Sequence, residues 1–315
     1  MAEGPEMRLD DWYAHCGMVA TPAGGVACVD IGEGPAAVFV HGIVVHGLLW
    51  RGVVDRVRDL RRCVVIDLPG HGATIAGPDQ DLSLPALAGL VEAVCGSLGL
   101  DRIDLVGNDT GGAVCQVLAA RHPERIRTLT LTNCDSDDNL PPPAFRAATE
   151  RARRGRYAPA LDRMAADPER ARSASGLGCG LERPEELDGE TLEALLAPLA
   201  TPGATRAIER LVVSLRAEDL VAAGPGLAAL TAPALIVWGT GDVFFEPAWA
   251  HRLAALIPGA RPVVELEGAR LYLPLERAPE LAGLLRELWT GEPGAPGGYA
   301  AQRLTSRPSH PASRE

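Results

Sequence analysis

The sequence predicts an α/β sandwich: a mostly parallel sheet flanked by helices and carrying a helical insert. Three observations lead there. Short, nearly continuous apolar runs recur along the chain, as in strands buried on both faces. Stretches with helical spacing separate them, so strand and helix alternate. Residues 141–226 form instead an Ala/Arg/Glu/Leu-rich block with helical spacing and no convincing strand.

Taken in order, Gly24-Gly25 falls between two alternating runs and reads as a hairpin turn. Strands are expected at 36–40 (AAVFV), 62–67 (RCVVID), 103–106 and 126–132 (IRTLTLT), and after the insert at 233–238 (PALIVW) and 262–266. Helical patterns occupy 83–98, 111–121, 247–257 and 276–290. This divides the chain into a core (1–140 and 227–290), a helical cap (141–226) and a Gly/Pro/Ser/Arg tail (291–315) too polar to pack.

With 315 residues, 47% of them hydrophobic, the chain is long and apolar enough for a sizeable core, which excludes general disorder. Its net charge of −11, with arginine as the sole basic side chain besides histidine, argues against a nucleic acid or an anionic membrane as partner. Seven cysteines, odd in number and without a C-x-x-C pair, suggest a reduced protein with neither a disulfide frame nor a zinc site. The N-terminal MAEGPEMRLDDW is acidic and lacks a signal-like apolar stretch, and no run reaches membrane-spanning length. A cytoplasmic protein binding a small-molecule substrate is expected, with no metal or cofactor; a homodimer stays open.

In parallel sheets ligands bind at the carboxyl ends of the strands. Four turns stand there: His41-Gly42-Ile43-Val44-Val45-His46-Gly47, Leu68-Pro69-Gly70-His71-Gly72, Gly107-Asn108-Asp109-Thr110-Gly111-Gly112 and Gly239-Thr240-Gly241-Asp242. The third runs from strand straight into helix. Flanking small residues let such a turn bend sharply and lift its central side chain, here Asp109, above the sheet. The backbone amides of Ile43 and Thr110 would then converge as an oxyanion hole. The plainer reading makes Asp109 the N-cap of the following helix.

With HG after the third strand, DLPGHG, VGNDTGG, a helical cap and WGTGD in this order over residues 20–290, the sequence resembles the α/β-hydrolase superfamily. Aspartate at the elbow is similar to the haloalkane dehalogenase and epoxide hydrolase branch. That resemblance implies attack by the Asp109 carboxylate on carbon and hydrolysis of the ester by a histidine-activated water. It also makes Asp242 the acid that orients this histidine; without that partner Asp242 reads equally as a relic or as a buried carboxylate bonding the last loop. Three departures stand out. Leu271 (or Arg270) occupies the place of the histidine, Thr110 that of the halide-binding tryptophan, and Tyr157 is the single tyrosine of the cap.

Of the seven histidines, His46 is placed best to stand in as a base beside Asp109, the alternative being a loop side chain in solvent. His41 and His71 belong to turn motifs in which imidazole usually bonds backbone. Asp135, after strand 126–132, sits where some dehalogenases place their acid and reads equally as a turn residue. Ile43, Thr110, His41, Asn108, Trp50 and Tyr157 are candidates for oxyanion or substrate binding, Trp50 reading also as core packing. The dense cap arginines 146, 151, 153, 154 and 156 could meet an anion or form a solvated face. With 13 aromatic residues in all, the cleft is expected to be lined mostly by Ala, Leu and Val.

Three functions follow. Asp109 in a dry pocket, its pKa raised toward neutrality, could shuttle protons in an isomerisation, cyclisation or elimination. Alternatively, Asp109 and His46 hydrolyse an epoxide, alkyl halide or ester. In the third, the fold binds without catalysis.

Overall fold

The computed structural model describes residues 7–291; the tail expected at 291–315 lies, apart from Gly291, outside the described residues. Eight strands form one sheet: β1 (Cys16–Thr21), β2 (Gly24–Ile31), β3 (Ala36–Val40), β4 (Arg62–Ile66), β5 (Ile103–Asn108), β6 (Ile126–Thr132), β7 (Ala234–Gly239) and β8 (Val264–Leu266). Their spatial order is β1-β2-β4-β3-β5-β6-β7-β8; β2 pairs antiparallel with both β1 and β4, and the remaining pairings are parallel. β3, β5 and β7 are buried along their whole length, which is why they read as unbroken apolar runs rather than alternating ones.

The first hairpin turns two residues earlier than expected. Thr21 pairs with Gly24, so residues 22–23 make the turn and Gly24-Gly25 already belong to β2. Gly24 has φ +116, a conformation that side chains rarely adopt, so its glycine serves the strand entry.

Helices α1 (Leu9–Ala14), α2 (Arg51–Asp55), α3 (Leu84–Ser97) and α4 (Thr110–Arg121) precede the insert. Between β6 and β7 the chain is helical: α5 (Arg146–Arg153), α6 (Ala158–Ala165), α7 (Pro168–Arg172), α8 (Gly189–Leu196), α9 (Ala204–Ser214) and α10 (Ala217–Ala228). The chain closes with α11 (Pro247–Leu256), α12 (Leu273–Glu276) and α13 (Ala278–Thr290). α4 is buried along nearly its entire length, between the sheet, α3 and α10, so its small residues are packing requirements. Among the described residues no helix is long and apolar enough to cross a membrane.

At the amino end of β5, the fully buried Asp104 is matched by Arg61 (2.7 Å), Arg127 (3.0 Å) and the Thr128 hydroxyl (2.8 Å). Charge buried there is compensated. The carboxyl end of the same strand is treated differently.

Candidate active site

β5 ends at Asn108 and α4 begins at Thr110, which leaves Asp109 alone to turn the chain, with φ +54 and ψ −133. A non-glycine residue held in that region costs on the order of 1–3 kcal/mol and persists only when its surroundings fix it. They do so here. The Asp109 amide donates to the Asn133 carbonyl (2.8 Å), and its own carbonyl accepts from the Gly112 amide (2.9 Å). A Cβ on Gly111 would overlap the backbone carbonyls of Val40 and His41, so only glycine lets α4 start this close to β3.

The Asp109 side chain lies over the loop after β3. A Cβ on Gly42 would overlap its Oδ2, and the Ile43 amide donates to that oxygen at 2.9 Å. The expected oxyanion-hole amides are thus turned onto the carboxyl of Asp109 itself. Burial pushes its pKa up to about 7, the Ile43 and Thr110 amides pulling down and the charge of Asp242 pushing further up. Asp242 is raised by burial to about 6, against hydrogen bonds from the Phe244 amide (2.8 Å) and Asn133 Nδ2 (2.6 Å). Asp135 is raised well above the carboxylate range, by burial first and by Asp109 second. None of the three is ion-paired among the described residues. Three buried acids without an ion-pair partner thus gather at one end of the sheet, while the buried Asp104 at the other end is fully paired.

A cavity of about 480 Å³ separates these strand ends from the helical insert. Asp109, Asp135, Ile43, Thr110, Tyr157 and Leu271 all line it, and its described lining contains no histidine. Leu and Ala are the commonest lining residue types, with Val among the next, as expected, and five of the thirteen aromatic residues gather here as well. Phe145 meets Tyr157 edge-on at 6.0 Å and Phe244 at 6.3 Å, and Phe245 and Tyr272 also contribute. Of the five cap arginines singled out above, Arg151 alone reaches the lining, where Arg163 and Arg170 join it.

Several expectations need correction. His46 does not face Asp109. It caps the short turn at Gly47–Trp50, which swings its ring sideways: Nε2 donates to the Ala194 carbonyl of α8 (3.1 Å), and Nδ1 lies 3.9 Å from Asp67. It lines a separate cavity of about 350 Å³ with Trp12 and Tyr13. Trp50 is fully buried against Phe39 (5.4 Å) and lines neither cavity. His41 is structural: Nδ1 bonds the Gly42 carbonyl (2.7 Å) and Nε2 accepts from the Leu68 amide (2.9 Å). Asn108 and Asp242 lie outside the lining. Asn108 Nδ2 donates to the Leu271 carbonyl (2.9 Å), fixing the loop after β8, and Asp242 is held through Asn133, whose carbonyl anchors Asp109.

One lining residue was missed as a candidate, Tyr272, and one that was named, Asp135, was underrated. Asp135, weighed mainly as a turn residue, is 2% exposed and accepts from the Thr110 hydroxyl at 3.2 Å. Its position after a parallel strand was the available signal. Tyr272 lies on the core side of the cavity, its amide donating to the Gly180 carbonyl of the insert (2.8 Å) and its ring packed where a Gly180 Cβ would stand. Neither its hydroxyl nor that of Tyr157 has a hydrogen-bond partner among the described residues. No sequence pattern pointed to Tyr272.

Residues 35–273 match the family model described as alpha/beta hydrolase fold. Haloalkane dehalogenase 2 of Mycobacterium tuberculosis is 26% identical over 276 residues, covering 84% of this chain and 91% of that protein. The pimeloyl-[acyl-carrier protein] methyl ester esterase of Aeromonas hydrophila is 36% identical over 98 residues, 31% of this chain and 37% of the esterase. Among solved structures, a loop variant of the haloalkane dehalogenase DbeA from Bradyrhizobium elkanii superposes with a TM-score of 0.72 at 23% identity, over 88% of this chain and 96% of that one.

Proposed function

Because the chain belongs to the alpha/beta hydrolase fold family, we propose that it is an enzyme whose reacting group is Asp109, moving a proton within a small, largely apolar organic molecule. Isomerisation, cyclisation and elimination all fall in this class. One observation carries the reading: a carboxyl with a pKa of about 7 faces a cavity that offers no histidine among the described residues. A group poised near neutrality can take a proton and return it, which contributes on the order of 10²–10⁴ in rate. Ester hydrolysis asks for more, since the water that cleaves the intermediate needs its own base. His46 points elsewhere, and Leu271 brings only a hydrocarbon side chain to the lining.

Hydrolysis remains the second reading, favoured by the similarity to haloalkane dehalogenases and by the Ile43 amide on Oδ2. That amide leaves the other oxygen to attack carbon and is well placed for the oxyanion of ester cleavage. Incubation with panels of ketones, epoxides and haloalkanes in ¹⁸O-water, followed by mass spectrometry of the peptide containing Asp109, separates the two. The proposal expects no label in Asp109, together with solvent deuterium entering a ketone in a parallel D₂O experiment and no such exchange with D109N. Label in Asp109 overturns it in favour of hydrolysis.

A further inference from the structure

The chain is acidic, with 41 acidic residues against 30 arginines, yet the lining of its main cavity is not. Arg151, Arg163 and Arg170 line it, one from each of the successive insert helices α5, α6 and α7. The acids of the lining are Asp109 and Asp135, both at strand ends and both driven toward the neutral form by burial. Near neutral pH the insert side is therefore cationic, while the sheet side carries little charge. The arginines of α5 divide by face. Arg153 and Arg154 follow Glu150 by three and four residues and pair with it (3.8 and 2.8 Å). Arg151 follows it by one, which turns it about 100° away. Its Nε donates to the Ala147 carbonyl (3.2 Å), and its two terminal nitrogens have no partner among the described residues. Arg163 has no acid partner there either, and Arg170 has only Asp167 at 3.8 Å. All three are exposed, so their heads are accessible. The Tyr157 hydroxyl, acted on by both Asp109 and Arg151, also lacks a hydrogen-bond partner; unlike the enclosed Oδ1 of Asp135, it keeps accessible surface.

A cleft whose charges share one sign concentrates ligands of the other, and here the remainder of the protein repels the anions that this cleft attracts. The planar guanidinium fork matches a carboxylate through two parallel hydrogen bonds. The rest of the lining is mainly hydrocarbon and aromatic. We propose that the cavity takes an amphiphilic carboxylate, its charged end held by Arg151, Arg163 and Arg170 with the Tyr157 hydroxyl as a further donor, and its apolar body directed at Asp109. The inference rests on the reading of this cavity as the substrate site, and it narrows the substrate from a largely apolar molecule to one with a single anionic end. It also fixes orientation. A carboxylate pointing the other way would leave the three cations and face Asp109 and Asp135, where its charge would oppose ionisation of both. The carbon atoms of the substrate, not its charged group, are thereby brought to the reacting carboxyl.

4-Phenylbutyrate and 4-phenylbutanamide, which have the same shape and differ by one charge, are suitable probes for calorimetric or ligand-observed NMR binding. The wild-type protein should bind the carboxylate about tenfold more tightly at low salt, and the preference should shrink to about threefold in concentrated salt as the exposed guanidiniums are screened. R151Q should cut the low-salt preference to about threefold. The triple variant R151Q/R163Q/R170Q should bring the two probes within about twofold while still binding the amide, which reports an intact cavity. R153Q, on the Glu150 face of the same helix, should keep the full preference. Wild-type protein that fails to prefer the carboxylate, whether it binds both probes equally or neither, overturns the inference, as does an undiminished preference in the triple variant or an equal loss in R153Q. Should the triple variant bind neither probe, the single variants R151Q, R163Q and R170Q decide: a lowered preference supports the inference, and an unchanged one in all three overturns it. Binding requires no chemistry, so this preference can hold while isotope labelling counts against proton transfer by Asp109, and can fail while labelling supports it.

Discussion

Replacing Asp109 by asparagine should make the protein more stable, and only above acidic pH. The carboxyl is raised from an ordinary 3.8 to about 7, a difference of about 3 pKa units. At about 1.4 kcal/mol per unit, ionising it in the folded state is disfavoured by up to about 4 kcal/mol. Below pH 4 both folded and unfolded chains hold the proton, and the position contributes no penalty. Between pH 4 and 7 the unfolded chain ionises while the folded one does not, so stability falls as pH rises and levels off above 7. Asparagine has no proton to lose, and its carbonyl oxygen can still accept the Ile43 amide that now reaches Oδ2. Urea unfolding of both proteins at pH 4, 6 and 8 should therefore show a gap in favour of D109N that grows from near zero to about 2–4 kcal/mol, the lower figure allowing for compensation by Asp242. A gap that is absent, of opposite sign or independent of pH would refute the idea that Asp109 is held uncompensated in a dry site.

Two further outcomes follow from the site. G42A should abolish turnover while leaving a folded protein, because the added methyl overlaps Asp109 Oδ2 and must drive the carboxyl off the Ile43 amide; deuterium exchange into ketones, checked alongside circular dichroism, would show it. H46A should lower stability by about 1 kcal/mol through loss of the hydrogen bond to Ala194 on the insert, yet change kcat/KM by less than about threefold, since His46 lines a different cavity.

The strands were legible because burial on both faces leaves an unmistakable run: 36–40 and 126–132 coincide with β3 and β6 to the residue. The elbow was legible for a related reason. Gly111 and Gly42 are there because backbone and carboxyl approach too closely for any side chain, and such constraints are local enough to leave a motif. Side-chain direction was not legible. His46 follows Ile43 by three residues, but Val44 at φ +74 and the turn capped by His46 itself rotate the ring toward α8. Tyr272 is invisible for the opposite reason, as its place in the cavity depends on a contact with Gly180, 92 positions earlier in the chain. Asp135 was seen but underrated, because one sequence cannot tell an acid that caps a turn from one buried beside another acid.

The same buried geometry explains why Leu271 changes what Asp109 can do. An imidazolium facing this cavity would draw nearby carboxyls down toward their ordinary values and keep Asp109 an anion ready to attack carbon. Leucine reverses the effect: it excludes water without supplying charge, so burial dominates and Asp109 rises to about 7 and Asp242 to about 6. The Leu271 side chain is only 5% exposed and its carbonyl is fixed by Asn108, so the position is built into the site rather than left slack. Among the described residues no cation is ion-paired with Asp109, Asp135 or Asp242, although Arg151, Arg163 and Arg170 line the cavity and Arg270 draws Asp242 down. The proposed proton transfer asks less of the site at neutral pH, the passage of a single proton between Asp109 and an occupant. On that reading the strain at φ +54, the Ile43 amide on Oδ2 and the burial of the carboxyl serve one end, keeping that proton's two positions close in free energy.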